Sequence, residues 1–251
     1  MAYSFNGSSE YLNTGNAVIS SVPITMACWF YSTSNSATQR LISIGDKDSG
    51  NDFFHVSAMG SVADDPLRAS ARRGGGGGGI GSATTTSGYS INTWHHATAV
   101  FTSNSDRDVY IDGGSVGNNT ASVTPASLDT TRIGARASSG INGPMAGRIA
   151  EAAIWNIPLS TSEIAQLAAG FSPLLVRPDG LTNYWPLGGI AGFSNSDAAP
   201  DYAGAYPLTP NNTPTEADHP PIFYPTTPII LTAAAGHAVR AMHHYRMLRC
   251  S

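Results

Sequence analysis

The sequence predicts an all-β protein: a two-layer antiparallel β-sandwich with one short helix and an extended C-terminal tail. Two observations carry this reading. Segments of strand length and strand composition recur at residues 5–11, 25–30, 94–98, 109–113 and 146–155, separated by stretches rich in Gly, Ser, Asn and Pro. Charged residues make up only 12% of the chain, and long helical periodicity is nearly absent. An all-β fold of 251 residues often stays undivided, so one domain over residues 1–228 and a tail over 229–251 are expected.

Taken in order, Pro23 to Tyr31 is an almost unbroken apolar run, the pattern of a strand covered on both faces. Arg40 to Gly45 and residues 52–58 continue the meander. The segment from Trp94 suits a half-buried strand, and Asp106 turns the chain into Val109-Tyr110-Ile111, which should pair with it. Asp112-Gly113-Gly114 is a hairpin signal, because Gly and Asp accept the positive φ of a primed turn at low cost.

Arg72-Arg73 leads into six glycines, Gly74 to Gly79, which read as a loop tip with no side chains to give a core. No Lys-Ser or Lys-Thr pair follows them, so they are not a phosphate-binding loop. Ser160 with Glu163 forms a capping box, Ile164, Leu167 and Ala168 share one face, and Gly170 supplies the stop of a short helix. Residues 181–187 read as the last strand. The Pro-rich segment 200–228 is expected to be extended and to wrap neighbours. Val239, Met242, Tyr245 and Leu248 leave the tail open to two readings, a docking helix or a solvated segment.

A net charge of −4 gives no field that would recruit nucleic acid or an anionic membrane. No apolar run is long enough to span a bilayer, and the N-terminus has no secretory pattern. Cys28 sits in an apolar run and reads as buried, Cys250 as exposed, and the pair suggests neither a disulfide scaffold nor a zinc site. Only one lysine, Lys47, stands among 13 cationic residues, a bias the sequence alone does not explain.

The order and spacing of Phe5-Asn6-Gly7, Tyr11, Trp94-His95-His96, Tyr110-Ile111-Asp112-Gly113, Ile133-Gly134, Gly147-Arg148-Ile149-Ala150-Glu151, Trp155-Asn156, Leu159-Ser160 and Glu163-Ile164 resemble the laminin-G-like, concanavalin A-like lectin/glucanase jelly rolls. The resemblance spans roughly residues 3–170 and implies a jelly-roll sandwich. In that family the phrase resembling residues 181–187 more often opens the domain; here it follows the matching region, an order that resembles lectin-like proteins of tailed bacteriophages.

A retaining glucanase of this kind needs two carboxylates projecting from one strand, one as nucleophile and one as acid. The chain has four glutamates, Glu10, Glu151, Glu163 and Glu216, and none belongs to such a pair. The resemblance gives Glu151 a structural role. His95 and His96 point to opposite faces of one strand, one packed and one exposed, and His243 and His244 read as surface imidazoles. Asparagine glycosylation motifs at Asn6, Asn118 and Asn211 carry no weight without a secretory route.

Calcium is the one cofactor the resemblance brings in. Its candidate ligands are Asp46, Asp48 and Asp52, although Lys47 intrudes among them and a plain turn competes with this reading. Sugar binding needs accessible aromatic rings beside polar partners, and the loop tyrosines Tyr202 and Tyr206 are the candidates, whereas Trp29, Trp94, Trp155 and Trp185 are assigned to packing.

The functional expectation is a non-catalytic, lectin-like virion accessory or decoration protein, made in the host cytoplasm without a signal peptide. Its partners would be other virion proteins, copies of itself and host glycans. A cellular carbohydrate-binding module and a glycoside hydrolase are the alternatives.

Overall fold

The structure, a computed structural model, describes residues 2–75, 78–187 and 198–225. The chain forms β1 (Ala2–Asn6), β2 (Tyr11–Thr14), β3 (Ile24–Ser32), β4 (Thr38–Gly45), β5 (Phe53–Met59) and β6 (Pro66–Arg72). It continues through β7 (Ile80–Gly88), β8 (Trp94–Ser103), β9 (Asp106–Ile111), β10 (Gly114–Asn119), β11 (Thr130–Ile133) and β12 (Ala146–Trp155). After helix α1 (Thr161–Ala168) come β13 (Leu181–Trp185), β14 (Thr209–Asn211) and β15 (Thr215–Ala217).

These strands make two antiparallel sheets. One has eight strands in the order β10-β9-β8-β3-β12-β1-β15, with β13 also paired to β12, and the other has seven in the order β14-β2-β11-β4-β5-β6-β7. Alternate residues of each sheet face inward. Met26, Cys28, Phe30, Ile42, Ile44, Phe54, Val56, Leu67, Phe101, Ile149 and Ile154 fill the space between the layers and are buried. Burial pushes the Cys28 thiol well above the usual thiol range, so this cysteine is an inert core residue. The all-β jelly-roll sandwich with one short helix is therefore what the structure contains.

The local signals hold where they were strongest. Asp112 (φ 52°) and Gly113 (φ 76°) are both left-handed, the geometry of a type I′ turn joining β9 to β10. Ser160 accepts from the Glu163 backbone N–H while Glu163 reaches back to the Ser160 N–H, closing the expected capping box. At the other end Gly170 (φ 93°) ends α1 with Phe171 N–H donating to Gln166 O and Gly170 N–H to Leu167 O, a Schellman stop. Ile164 and Leu167 pack under this helix against Trp155 and Tyr184.

Residues 181–187 are not the last strand. Two three-residue strands follow: β14 pairs with β2 at the edge of one sheet and β15 with β1 at the edge of the other. Pro210 is tolerated in β14 because an edge strand can leave one side of its backbone unpaired. The segment expected to wrap other molecules is thus partly used to close this one.

Arg73 N–H donates to Gly79 O across the glycine run, which joins β6 to β7; Gly76 and Gly77 lie outside the described residues, as does the whole tail over 229–251. Among the described residues no helix is long and apolar enough to cross a membrane.

Candidate functional site

The outward face of the seven-stranded sheet is built from residues that no core would select. Strand β6 reads Pro-Leu-Arg-Ala-Ser-Ala-Arg: Leu67, Ala69 and Ala71 enter the core, so Arg68, Ser70 and Arg72 must point out. Pairing then aligns like positions. Asn13, Arg132, Ser43, His55, Ser70 and Ser82 run side by side across β2, β11, β4, β5, β6 and β7. A second row places Arg40 beside Ser57, Ser57 beside Arg68, and Arg68 beside Thr84.

The loop between β11 and β12 walls this face on one side. Ala137 N–H donates to Ser43 Oγ (3.1 Å), Arg40 N–H to Gly143 O (2.8 Å), and Arg132 Nη1 to Arg136 O and Gly140 O (both 3.0 Å). Gly143 has φ +60°, and a Cβ there would sit 3.0 Å from Arg40 Cγ, so glycine is what lets the loop lie flat on the strand. Arg136 extends from this loop over the Phe53 ring, 5.6 Å from its centroid, and Phe53 in turn stacks on His55 at 4.3 Å.

The result is a cationic groove beside this loop with a covered polar floor: Ser43, His55, Ser57 and Ser70 are at most 2% exposed, while Arg40, Arg68, Arg72 and Arg136 are half-buried. Arg40 Nη1 donates to Ser57 Oγ (2.8 Å) and lies 3.4 Å from His55 Nε2, Arg68 Nε donates to Thr84 Oγ1 (3.3 Å), and Ser70 and Ser82 share a hydrogen bond of 2.9 Å. Burial, together with Arg136 and Arg68, pulls the Arg40 guanidinium down to about 10. His55, only 2% exposed, is held well below the usual imidazole range by burial and by Arg40, Arg136 and Arg68, so it is neutral.

The proposed calcium ligands are brought together only in part. Asp46 and Asp48 meet Asp129, which approaches from far along the chain, with a carboxylate oxygen of each within 4.8 Å of the others. Asp52 instead turns inward, accepting from Ala126 N–H (2.9 Å) and Gly74 N–H (3.1 Å) and pairing with Arg73. The donor set does not fit a cation as it stands. Lys47 Nζ lies 3.0 Å from both Asp48 and Asp129, and Asp46 is engaged by the Asp48 and Ser49 N–H groups and the Ser49 hydroxyl.

Tyr202 and Tyr206 lie on a loop held by Asp201, whose carboxylate accepts from Asn183 Nδ2 and from the N–H groups of Tyr184, Ala203, Gly204 and Tyr206. Tyr202 packs toward Tyr184 (6.1 Å between rings), and the carbonyl of Tyr206 accepts from Trp185 Nε1 (2.9 Å). Their loop therefore serves β13 of the eight-stranded sheet, not the groove.

His96 is buried against Trp29, and burial lowers it to about 4; His95 bonds Asp112 at 2.7 Å. Trp155 and Trp185 are fully buried, while Trp29 and Trp94 are half-buried.

Glu151 sits where the β12–β3 register shifts, in a left-handed conformation (φ 54°), and its buried carboxylate is bound by Tyr184, Tyr224 and His219. The other glutamates are scattered. Glu10 binds Asn6 N–H, Glu163 caps α1, and Glu216 is exposed on β15.

Solved structures share this architecture at low identity. The carbohydrate-binding module CBM40 of Ruminococcus gnavus IT-sialidase superposes with a TM-score of 0.54 at 14% identity, covering 67% of this chain and 98% of that one. Domain 4 of a Geobacillus stearothermophilus extracellular arabinanase, in complex with arabinotriose, gives 0.52 at 18% identity over 66% and 76%. A heptameric SAP-like pentraxin from Limulus polyphemus gives 0.51 at 15% identity over 66% and 81%. No curated protein matches the sequence. The family model of the concanavalin A-like lectin/glucanases superfamily matches residues 6–165, from the end of β1 into α1, and the chain belongs to that superfamily.

Proposed function

We propose that this protein is a lectin-like carbohydrate-binding module that works by contact and not by turnover, with the outward face of the seven-stranded sheet as its platform. The half-buried polar groups of this face carry this reading: the guanidinium groups of Arg40, Arg68, Arg72 and Arg136 and the hydroxyls of Ser82 and Thr84 offer the hydrogen-bonding partners that sugar hydroxyls require. Support comes also from the arabinanase domain of the same fold, which is in complex with a sugar. The scatter of the four glutamates supports binding without hydrolysis, since no two of them meet across this groove.

A place on a virus particle, beside other virion proteins and further copies of the chain, is the finer part of the proposal. It rests on the position of residues 181–187 behind the family region, and co-purification with particles tests it. A soluble monomer with saturable sugar affinity and no particle association would instead identify a cellular module.

The groove itself is tested on a glycan array. Thr84 is half-buried and points outward from β7, so Thr84→Trp fills the groove at its margin without entering the core. Binding by the native chain and its loss in Thr84→Trp, at unchanged melting temperature, is the expected result. Equal binding by both proteins would move the platform elsewhere.

A further inference from the structure

We infer that the groove selects an anionic saccharide, one bearing a carboxylate or sulfate group, held between the guanidinium groups of Arg40, Arg68, Arg72 and Arg136. This rests on the proposal that the groove binds sugars and names their chemical class.

Three independent features lead there. The first is a concentration of like charge. Four arginines from β4, β6 and the β11–β12 loop reach one face, close enough that Arg136 and Arg68 disfavour the charge on Arg40 and Arg72 that on Arg136. The second is the lack of compensation. Among the described residues the ion pairs engage Lys47, Arg73, Arg148, Arg177, His95 and His219, and none of these four arginines. Like charges gathered without a counter-ion destabilise a folded protein, and a bound anion removes that penalty.

The third feature is the polarity of what is left unpaired. Arg40 Nε, Arg136 Nε and His55 Nδ1 are buried without a hydrogen-bond partner. Arg40 Nη1 lies against His55 Nε2, so that nitrogen accepts and Nδ1 keeps the proton. All three orphaned atoms are then donors. A buried donor without an acceptor is destabilising, and acceptors are the partner class that these guanidinium and imidazole N–H groups lack. A planar carboxylate matches a guanidinium fork, and the hydroxyls of Ser82 and Thr84 are placed for the ring hydroxyls of a sugar.

A single-stranded nucleic acid would also bring anions, but it needs accessible aromatic faces for its bases. Two aromatic rings lie on this face, and both are covered: Phe53 is 2% exposed beneath Arg136 and stacked on His55, and half-buried Tyr11 lies under Arg132, 4.5 Å from its ring centroid. The net charge of −4 also opposes a polyanion over the rest of the surface.

The test compares matched ligands on the full chain by calorimetry: 3′-sialyllactose against lactose, an oligogalacturonate against its carboxyl-reduced form, a sulfated galactan oligomer, and a single-stranded oligodeoxynucleotide. The acidic sugars should bind at least about tenfold tighter than their neutral forms, with affinity falling as NaCl is raised. The carboxylated and sulfated arms identify the group recognised. Arg68→Gln and Arg72→Gln should each weaken acidic-sugar binding about tenfold without lowering the melting temperature, and Arg68→Lys should recover only part of the loss. Equal affinity for acidic and neutral partners would overturn the inference while leaving the sugar-binding platform intact. Failure to bind any saccharide would overturn both, and tighter binding of the oligonucleotide would replace the sugar as ligand.

Discussion

Tyr184 donates its hydroxyl to Glu151 at 2.7 Å, across the bulge that separates the two halves of β12. Tyr224 binds the other carboxylate oxygen at 2.9 Å, and His219 approaches the same oxygen at 3.1 Å. Burial and the neighbouring Glu151 charge push both tyrosines above the usual phenol range, so they act as donors at every relevant pH. Removing one donor leaves a buried carboxylate underpaired. Tyr184→Phe should destabilise the fold by about 2 kcal/mol in urea unfolding, and Glu151→Ala by about 3 kcal/mol or more, because it orphans three groups at once.

Stability should fall on mild acidification. His96 is neutral in the folded protein, lowered to about 4 by burial, against 6.5 in the unfolded chain. The unfolded state therefore binds the extra proton between these values, and stability present above pH 6.5 is lost as pH falls toward 4. At pH 5 the loss from His96 alone is about 2 kcal/mol, with His55 acting in the same direction. His96→Gln should flatten the pH dependence of the urea midpoint between pH 7 and pH 5; a slope as steep as that of the native chain would show that His96 is not its source.

Lys47 takes the position a cation would need among Asp46, Asp48 and Asp129. Millimolar calcium should leave the melting temperature of the native chain unchanged. Lys47→Ala leaves three carboxylates facing one another, and in that variant calcium should raise the melting temperature. A calcium response in the native chain would show that the lysine yields its place.

The Asp201 loop separates the side chains of the two candidate tyrosines from the backbone they sit on. Tyr206 contributes its N–H and carbonyl, and the residue is 37% exposed, so Tyr206→Ala should change stability by less than about 0.5 kcal/mol and leave glycan-array binding unaltered. Asp201→Ala removes the acceptor shared by four backbone N–H groups and Asn183, and should cost about 2 kcal/mol or more.

The fold was legible wherever a local rule determined geometry: the Asp112-Gly113 turn, the Ser160 and Glu163 cap, and the apolar run of β3. The proposed platform was not, although half of its signal was local. The alternation of Leu67, Ala69 and Ala71 with Arg68, Ser70 and Arg72 shows a strand with one apolar and one basic face. What no linear reading supplies is the approach of Arg40 and Arg136, which depends on strand order and on the loop folding back over Ser43. The carboxylate cluster was only partly legible for the same reason: Asp46 and Asp48 meet Asp129, which is 82 positions from Lys47, while the nearer Asp52 faces the other way. The preference for arginine over lysine also acquires a partial reason, since the groove uses the forked, multi-donor geometry that lysine lacks.

The two short strands β14 and β15 shield the hydrogen-bonding flanks of β2 and β1 at once, and only Asn212, Thr213 and Pro214 separate them. A chain ending before Thr209 would keep its core yet present unpaired N–H and C=O groups on both layers, each a template for another molecule's strand. Such a truncated product should gather into strand-paired aggregates, so nine residues near the end of the sandwich keep two sheet edges from recruiting foreign strands.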